Sequence, residues 1–188
     1  MLLLPAYLKA QTSSKYDYVS NYSEGFAIVR LNGKYGFIDK NKKELVPLKY
    51  QGAEKFSEGM AVVKLDYKYG FIDKAGNLKT KIKYAEVFSF KGGRARVSQN
   101  GKWGYIDKTG SEVIPMQYER TNNFWEGLAV VGKKVNGTFK LGVIDPDGKV
   151  VIPFTYDSAD QRFTNGKLSV RQKGGEWFKI DKSGKRVE

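Results

Sequence analysis

Apolar and polar residues alternate in short runs along most of this chain, and turn residues close each run. "FAIVRL" at 26–31 and "KYGFID" at 34–39 flank Asn32-Gly33, a dipeptide suited to a two-residue type I′ hairpin turn. "DKNK" follows, with the counterparts "DKAG" and "DKTG" further on. Asp at the first turn position accepts hydrogen bonds from nearby amides, and Gly at the fourth tolerates a left-handed backbone. A third run ends near "LVP" at 45–47, where proline suits a strand end or edge. No long 3.6-residue apolar stripe is visible. The pattern predicts a three-stranded β-meander.

The meander returns at a fixed distance. "NGKYGFIDK" (32–40) recurs as "DYKYGFIDK" (66–74) and "NGKWGYIDK" (100–108). An aromatic-x-x-Gly anchor starting at Tyr22, Phe56, Phe90, Phe124 and Phe163 steps by 34 residues three times, then by 39. Ile-Asp pairs keep step with it at Ile38-Asp39, Ile72-Asp73, Ile106-Asp107, Ile144-Asp145 and Ile180-Asp181. A tyrosine phase (Tyr16, Tyr50, Tyr84, Tyr118, Tyr156) divides the chain into units 16–49, 50–83, 84–117, 118–155 and 156–188, joined by "YQGAEKFSEG"-type linkers.

Helical hairpin repeats share this period, but they would hold these glycines in helix interiors at about 1 kcal/mol each. A lone meander of this size cannot bury its apolar face, so neighbours must bury one another. The expected architecture is one all-β array of five units of about 34 residues. An open, superhelical, solenoid-like stack is favoured over a closed propeller-like ring, because unequal fourth and fifth units strain a ring more.

Agreement among copies reports what the repeat needs to fold. The aspartates 39, 73, 107, 145 and 181 therefore read as turn-formers, and Gly25, Gly59, Gly93, Gly127 and Gly166 as suppliers of positive φ. Tyr35, Tyr69, Trp103 and Trp177 form one aromatic phase, and Phe37, Phe71 and Tyr105 another. The two phases are assigned to opposite faces, one a shared core and the other a surface ladder. Lys34, Lys68 and Lys102 precede the aromatic-Gly pair, and Lys40, Lys74, Lys108 and Lys182 follow the Ile-Asp; both sets read as solvated edges or charge stripes.

Function is expected where copies differ. Trp125 stands in a slot held elsewhere by Ser57, Lys91 or Thr164, Arg94 and Arg96 are peculiar to unit three, and the insertion Lys133–Lys140 is peculiar to unit four. Trp125, Arg94, Arg96, Lys133, Lys134, Phe139 and Lys140, with the aligned Lys34, Lys68 and Lys102, are the candidate partner-binding residues.

The stretches "FSEGMAVVKLDYKYGFIDKAGNL" and "GKWGYIDKTGSEVIPMQYE" resemble the WG repeat of bacterial proteins, named for a Trp-Gly pair that is Trp103-Gly104 here. The pair reads Tyr35-Gly36, Tyr69-Gly70, Leu141-Gly142 and Trp177-Phe178 in the other units, and the resemblance covers residues 16–188. It implies a β-rich array with a binding or scaffolding role and no catalytic residues. "YLKAQ" also resembles the end of a Bacteroidetes export signal.

Composition narrows the chemistry. The 188 residues include no cysteine and no histidine, which excludes disulfides and removes the commonest general base and metal ligand. No nucleophile–base constellation or separated carboxylate pair stands out, so the chain reads as a non-enzyme without cofactor or metal. A net charge of +13 favours acidic partners. "MLLLPAYLKA" is a short apolar run ending in a small residue, so residues 1–15 read as an export-signal remnant or as an N-terminal strand. The run is too short to span a bilayer.

The expectation is a non-catalytic scaffold mediating protein–protein interaction in the cell envelope, periplasmic or secreted. The alternative is a binder of glycan or another polyanion through aligned lysines and aromatics; export would make nucleic acid a poor candidate.

Overall fold

A computed structural model describes residues 15–187, all of them in strands, turns and connecting segments. The reading of residues 1–15 thus lies outside the described residues, save for Lys15.

Five antiparallel sheets follow one another along the chain. In unit one, Tyr18–Val19, Phe26–Leu31, Lys34–Asp39 and Glu44–Tyr50 pair in chain order. Unit three repeats this with Glu86–Val87, Ala95–Gln99, Lys102–Ile106 and Glu112–Tyr118. Unit four does so with Arg120–Thr121, Ala129–Val135, Thr138–Ile144 and Val150–Tyr156. Units two (Gly52–Ala53, Met60–Leu65, Lys68–Asp73) and five (Ser158–Ala159, Lys167–Arg171, Phe178–Asp181) keep three strands each.

The three-stranded meander forms as expected in units one, three and four, its last strand is reduced to isolated bridges in units two and five, and each linker adds a two-residue strand. In unit one that strand is fixed by Asp17 donating to the Arg30 carbonyl at 3.0 Å and Ser20 to the Ile28 carbonyl at 2.9 Å. Two residues are too few to show a period, which is why the pattern reads as a linker.

The expected turns form. Asn32 and Gly33 both take positive φ (50° and 73°), as a type I′ turn requires. Asp66 and Tyr67 adopt the same pair of conformations at 48° and 61° without a glycine. Each Ile-Asp carboxylate caps its turn: Asp107 Oδ1 accepts from the Thr109 amide at 2.9 Å and the Ser111 amide at 3.1 Å. Asp39, Asp73, Asp145 and Asp181 each accept two amides in the same way.

The glycine of the aromatic-Gly pair answers a different need. A Cβ on Gly104 would run into the Ile114 carbonyl oxygen and crowd the Met116 amide, where the last strand crosses the middle one with a register shift. Unit five has Phe178 at this place, and there the last strand shrinks to a single bridge, Ile180 to Arg186.

Sheets pack face to face with their sequence neighbours. Ile28, Phe37, Val46 and Tyr50 meet Phe56, Ala61, Val63 and Ile72 at the first junction. Met60, Val62, Phe71 and Tyr84 meet Phe90, Ala95, Val97 and Ile106 at the second. Tyr105, Ile114 and Tyr118 meet Phe124, Ala129, Val131 and Ile144 at the third. Leu128, Val130, Leu141, Val143, Ile152 and Tyr156 meet Phe163, Leu168, Val170 and Ile180 at the fourth. Among the described residues no core cluster joins unit one to unit five, so the array is open.

The two aromatic phases do not take opposite faces. Tyr35 packs against the cluster that holds Phe37, and Tyr69 against that of Phe71. Residues two apart on a strand share a face, so both phases serve the same junction.

Candidate functional site

Beyond the cores, polar contacts tie consecutive units, and the tie changes along the array. In units one and two the anchor reads Ser-Glu-Gly. Ser23 and Ser57 donate to the carbonyls of Phe56 and Phe90, both at 2.8 Å. Glu24 accepts from the Gly59 amide at 2.9 Å and pairs with Lys74 at 3.0 Å. Glu58 accepts from the Gly92 and Gly93 amides at 2.7 and 2.9 Å and pairs with Lys108 at 3.3 Å. Glu126 repeats the clamp on the Gly166 amide and Lys182, at 3.0 and 3.1 Å.

The lysines that follow Ile-Asp at 74, 108 and 182 are therefore clamp partners, not a free stripe. Burial alone would raise the carboxyls of Glu24 and Glu58, but the facing ammonium and amides outweigh it and hold both below the ordinary glutamate range. For Glu126 the Lys182 ammonium is the leading cause of the same lowering.

The third junction lacks both halves of the clamp: Gly92 stands in the glutamate slot and Pro146 in the lysine slot. Arg94 bridges instead, its Nε and Nη2 each 3.3 Å from the Pro146 carbonyl. Arg96 replaces the aliphatic Ile28, Val62 and Val130 of units one, two and four, where unit five has Ser169. Its Nη1 donates to the Thr121 carbonyl at 2.7 Å and its guanidinium lies 3.6 Å from the Phe88 ring centroid. Its Nε is buried without a hydrogen-bond partner among the described residues, and burial lowers its pKa. The Tyr105 hydroxyl donates to the Asn122 carbonyl at 2.6 Å, and burial pushes its pKa far up.

Above this polar core lies a cavity of about 490 Å³ lined by Arg96, Asn122, Asn123, Trp125, Asp160, Gln161, Arg162 and Thr164. Three units contribute to it. The Trp125 indole is engaged by cations from both neighbouring units: Lys91 Nζ stands 3.8 Å and Arg162 Cζ 4.4 Å from its ring centroid. Such contacts hold a cation in place without neutralising it.

Of the candidate residues, Arg96 and Trp125 are brought together in this cavity and the others are not. Arg94 is spent on the junction. Lys102 pairs with Glu119 and Lys140 with Asp157, both at 2.8 Å. Lys133 lies over the Phe154 ring at 4.5 Å, and Phe139 packs onto the fourth junction's core. Lys134 is exposed, and so are Lys34 and Lys68, away from the cavity. The insertion lengthens a hairpin: Lys133 pairs with Lys140, and the strands run on to an Asn136-Gly137 turn.

Asn122, Asn123, Asp160, Gln161 and Arg162 escaped the sequence reading. Asn123 and Arg162 directly precede the aromatic anchor in units four and five, so comparing copies one position upstream of Phe124 and Phe163 would have found them.

No curated protein matches the sequence. Among solved structures, Kluyveromyces lactis Hsv2p is similar in fold at 15% identity and a TM-score of 0.50, over 89% of this chain and 62% of that one. BamB from Moraxella catarrhalis is similar at 11% identity and a TM-score of 0.41, over 88% of this chain and 58% of that one. The chain thus spans less than two thirds of either protein, and the likeness to Hsv2p is to a β-propeller-like fold. The model of the WG containing repeat matches residues 13–35, 35–69, 69–103, 103–134 and 142–177. With most of its length matched, this chain belongs to the WG-repeat family.

Proposed function

We propose that the chain is a non-catalytic binding module of the cell envelope that holds a protein partner at the cavity over the third and fourth junctions. One observation carries this reading: residues that break the repeat, Arg96, Trp125 and Arg162, converge on one recess from three units. Repeat positions that agree are consumed by turns, cores and clamps, so departures from the repeat are where a ligand-specific surface can be written. The envelope location rests on the apolar N-terminal run, and the absence of catalysis on the missing histidine, cysteine and paired carboxylates.

A wide polyanion stripe has less support. Lys74, Lys102, Lys108, Lys140 and Lys182 are all paired with carboxylates. Exposed ion pairs of this kind contribute little to stability, but they cancel charge locally.

A pull-down from envelope extract with the full chain, washed at low and then high salt, tests the reading. One stoichiometric protein retained through both washes, and lost on Trp125→Ala with an unchanged circular dichroism spectrum, is expected. Recovery of heterogeneous acidic polymer at low salt alone would overturn it in favour of a polyanion binder, since counterion release makes such binding fall steeply with salt.

A further inference from the structure

Resting on that reading, we propose that the cavity recognises carboxylates of an acidic peptide segment, gripped between Arg96 and Arg162. Two guanidinium groups and one carboxylate, Asp160, line the recess. No carboxylate among the described residues pairs with Arg96, Arg162 or Lys91. This contrasts with the lysines of the clamps. Arg96 is held on one side by the Phe88 ring and on another by the Thr121 carbonyl, leaving a partly desolvated cation without a counter-ion. A buried cation is costly unless it is paired, and a planar guanidinium fits a carboxylate through two parallel hydrogen bonds.

Shape and surroundings favour a peptide over a sugar acid. The aromatic ring in the cavity wall, Trp125, already carries Lys91 and Arg162, and Phe88 carries Arg96. The rings thus hold cations instead of offering an open face on which a pyranose could stack. A second recess of about 370 Å³ shares Asp160 and Thr164 with the first and continues past Lys167 and Lys179. Asn123 and Gln161 supply the amide donors and acceptors that a peptide backbone requires, while Asn122 Nδ2 donates to the Val130 carbonyl at 3.3 Å.

The test is a fluorescence anisotropy titration of the full chain with a labelled oligoglutamate peptide, alongside a labelled oligogalacturonate and with inorganic phosphate as competitor. Saturable peptide binding is expected, weakened about tenfold or more by Arg162→Gln and partly kept by Arg162→Lys. Arg162 is exposed and makes no hydrogen bond among the described residues, so the substitution leaves the fold intact. Lys34→Gln with Lys68→Gln is expected to shift affinity by no more than about twofold, as distant surface charges do.

Peptide binding indifferent to Arg162→Gln, tighter binding of the uronate oligomer, or displacement by phosphate as readily as by unlabelled peptide would each overturn the assignment. If oligoglutamate fails while the pull-down still yields a Trp125-dependent protein, the carboxylate chemistry falls and the binding module stands. If both fail, the module reading falls with it.

Discussion

The second and third junctions solve the same packing problem with different chemistry. At the second, Val62 and Phe71 are fully apolar against Phe90 and Val97, and Glu58 staples the rim to two glycine amides and Lys108. At the third, Arg96 and Tyr105 stand where Val62 and Phe71 stood; the staple is gone, and side-chain contacts to carbonyls replace it. The second is built to hold. The third gives up apolar burial, and the polar groups it admits surround the cavity. Repeats make this readable, because each junction is the control for the next.

The sharpest way to break the comparison is to move the arginine. Val62→Arg at the second junction puts a guanidinium without a counter-ion into an apolar core, and about 3 kcal/mol or more of stability is expected to be lost in urea unfolding. Arg96→Val restores the aliphatic residue and is expected to change stability by less than about 1 kcal/mol. A large loss on Arg96→Val would make Arg96 a structural residue and remove the contrast.

A smaller effect tests the staple. Glu58→Gln is expected to cost about 1 kcal/mol at neutral pH, since a charge-assisted pair of hydrogen bonds is weakened at a partly exposed rim. The sign of its pH dependence follows from the lowered folded-state pKa of Glu58. Its contribution is complete above the unfolded value near 4.5 and is lost as pH falls through the lower folded value. Urea midpoints of wild type and Glu58→Gln are therefore expected to converge as pH falls from 4.5 through the lowered folded value. Midpoints that stay equally far apart would show that charge is not what the staple uses.

The smallest effect concerns the turns that precede these junctions. Tyr67 is exposed and holds a φ of 61°, where units one and three have Gly33 and Gly101. Tyr67→Gly is expected to stabilise the fold by about 1 kcal/mol, the cost of a left-handed conformation for a residue with a Cβ. A loss in thermal melting would mean that the Tyr67 ring, 5.8 Å from Lys64 Nζ, contributes more than the backbone strain removes.

The meander, its turns and its period were legible because each leaves a periodic or dipeptide mark, as Asn32-Gly33 and the five aspartates do. The short first strands left none, having only two residues each. The aromatic faces were misassigned by parity: Tyr35 and Phe37 lie two apart and belong together. For the site, Trp125 and Arg96 were visible as departures from the repeat. The same criterion also raised Lys140 and Arg94, which the structure uses up in Asp157 and the Pro146 carbonyl. Departure marks a residue as special without saying whether a ligand or a neighbouring unit claims it. That is decided across junctions, between residues 25 to 56 apart in sequence.

The strand "KYGFID" is written identically at 34–39 and at 68–73. A growing chain therefore makes two interchangeable pieces, and either could settle into the other's berth with its local contacts intact. The third junction is the seam that differs from the others: it has arginines before it and a proline and a tryptophan after it. A shift by one unit would bring Arg94 and Arg96 against a neighbour that lacks Pro146 and Trp125, so that irregular seam fixes which unit belongs on each side of it.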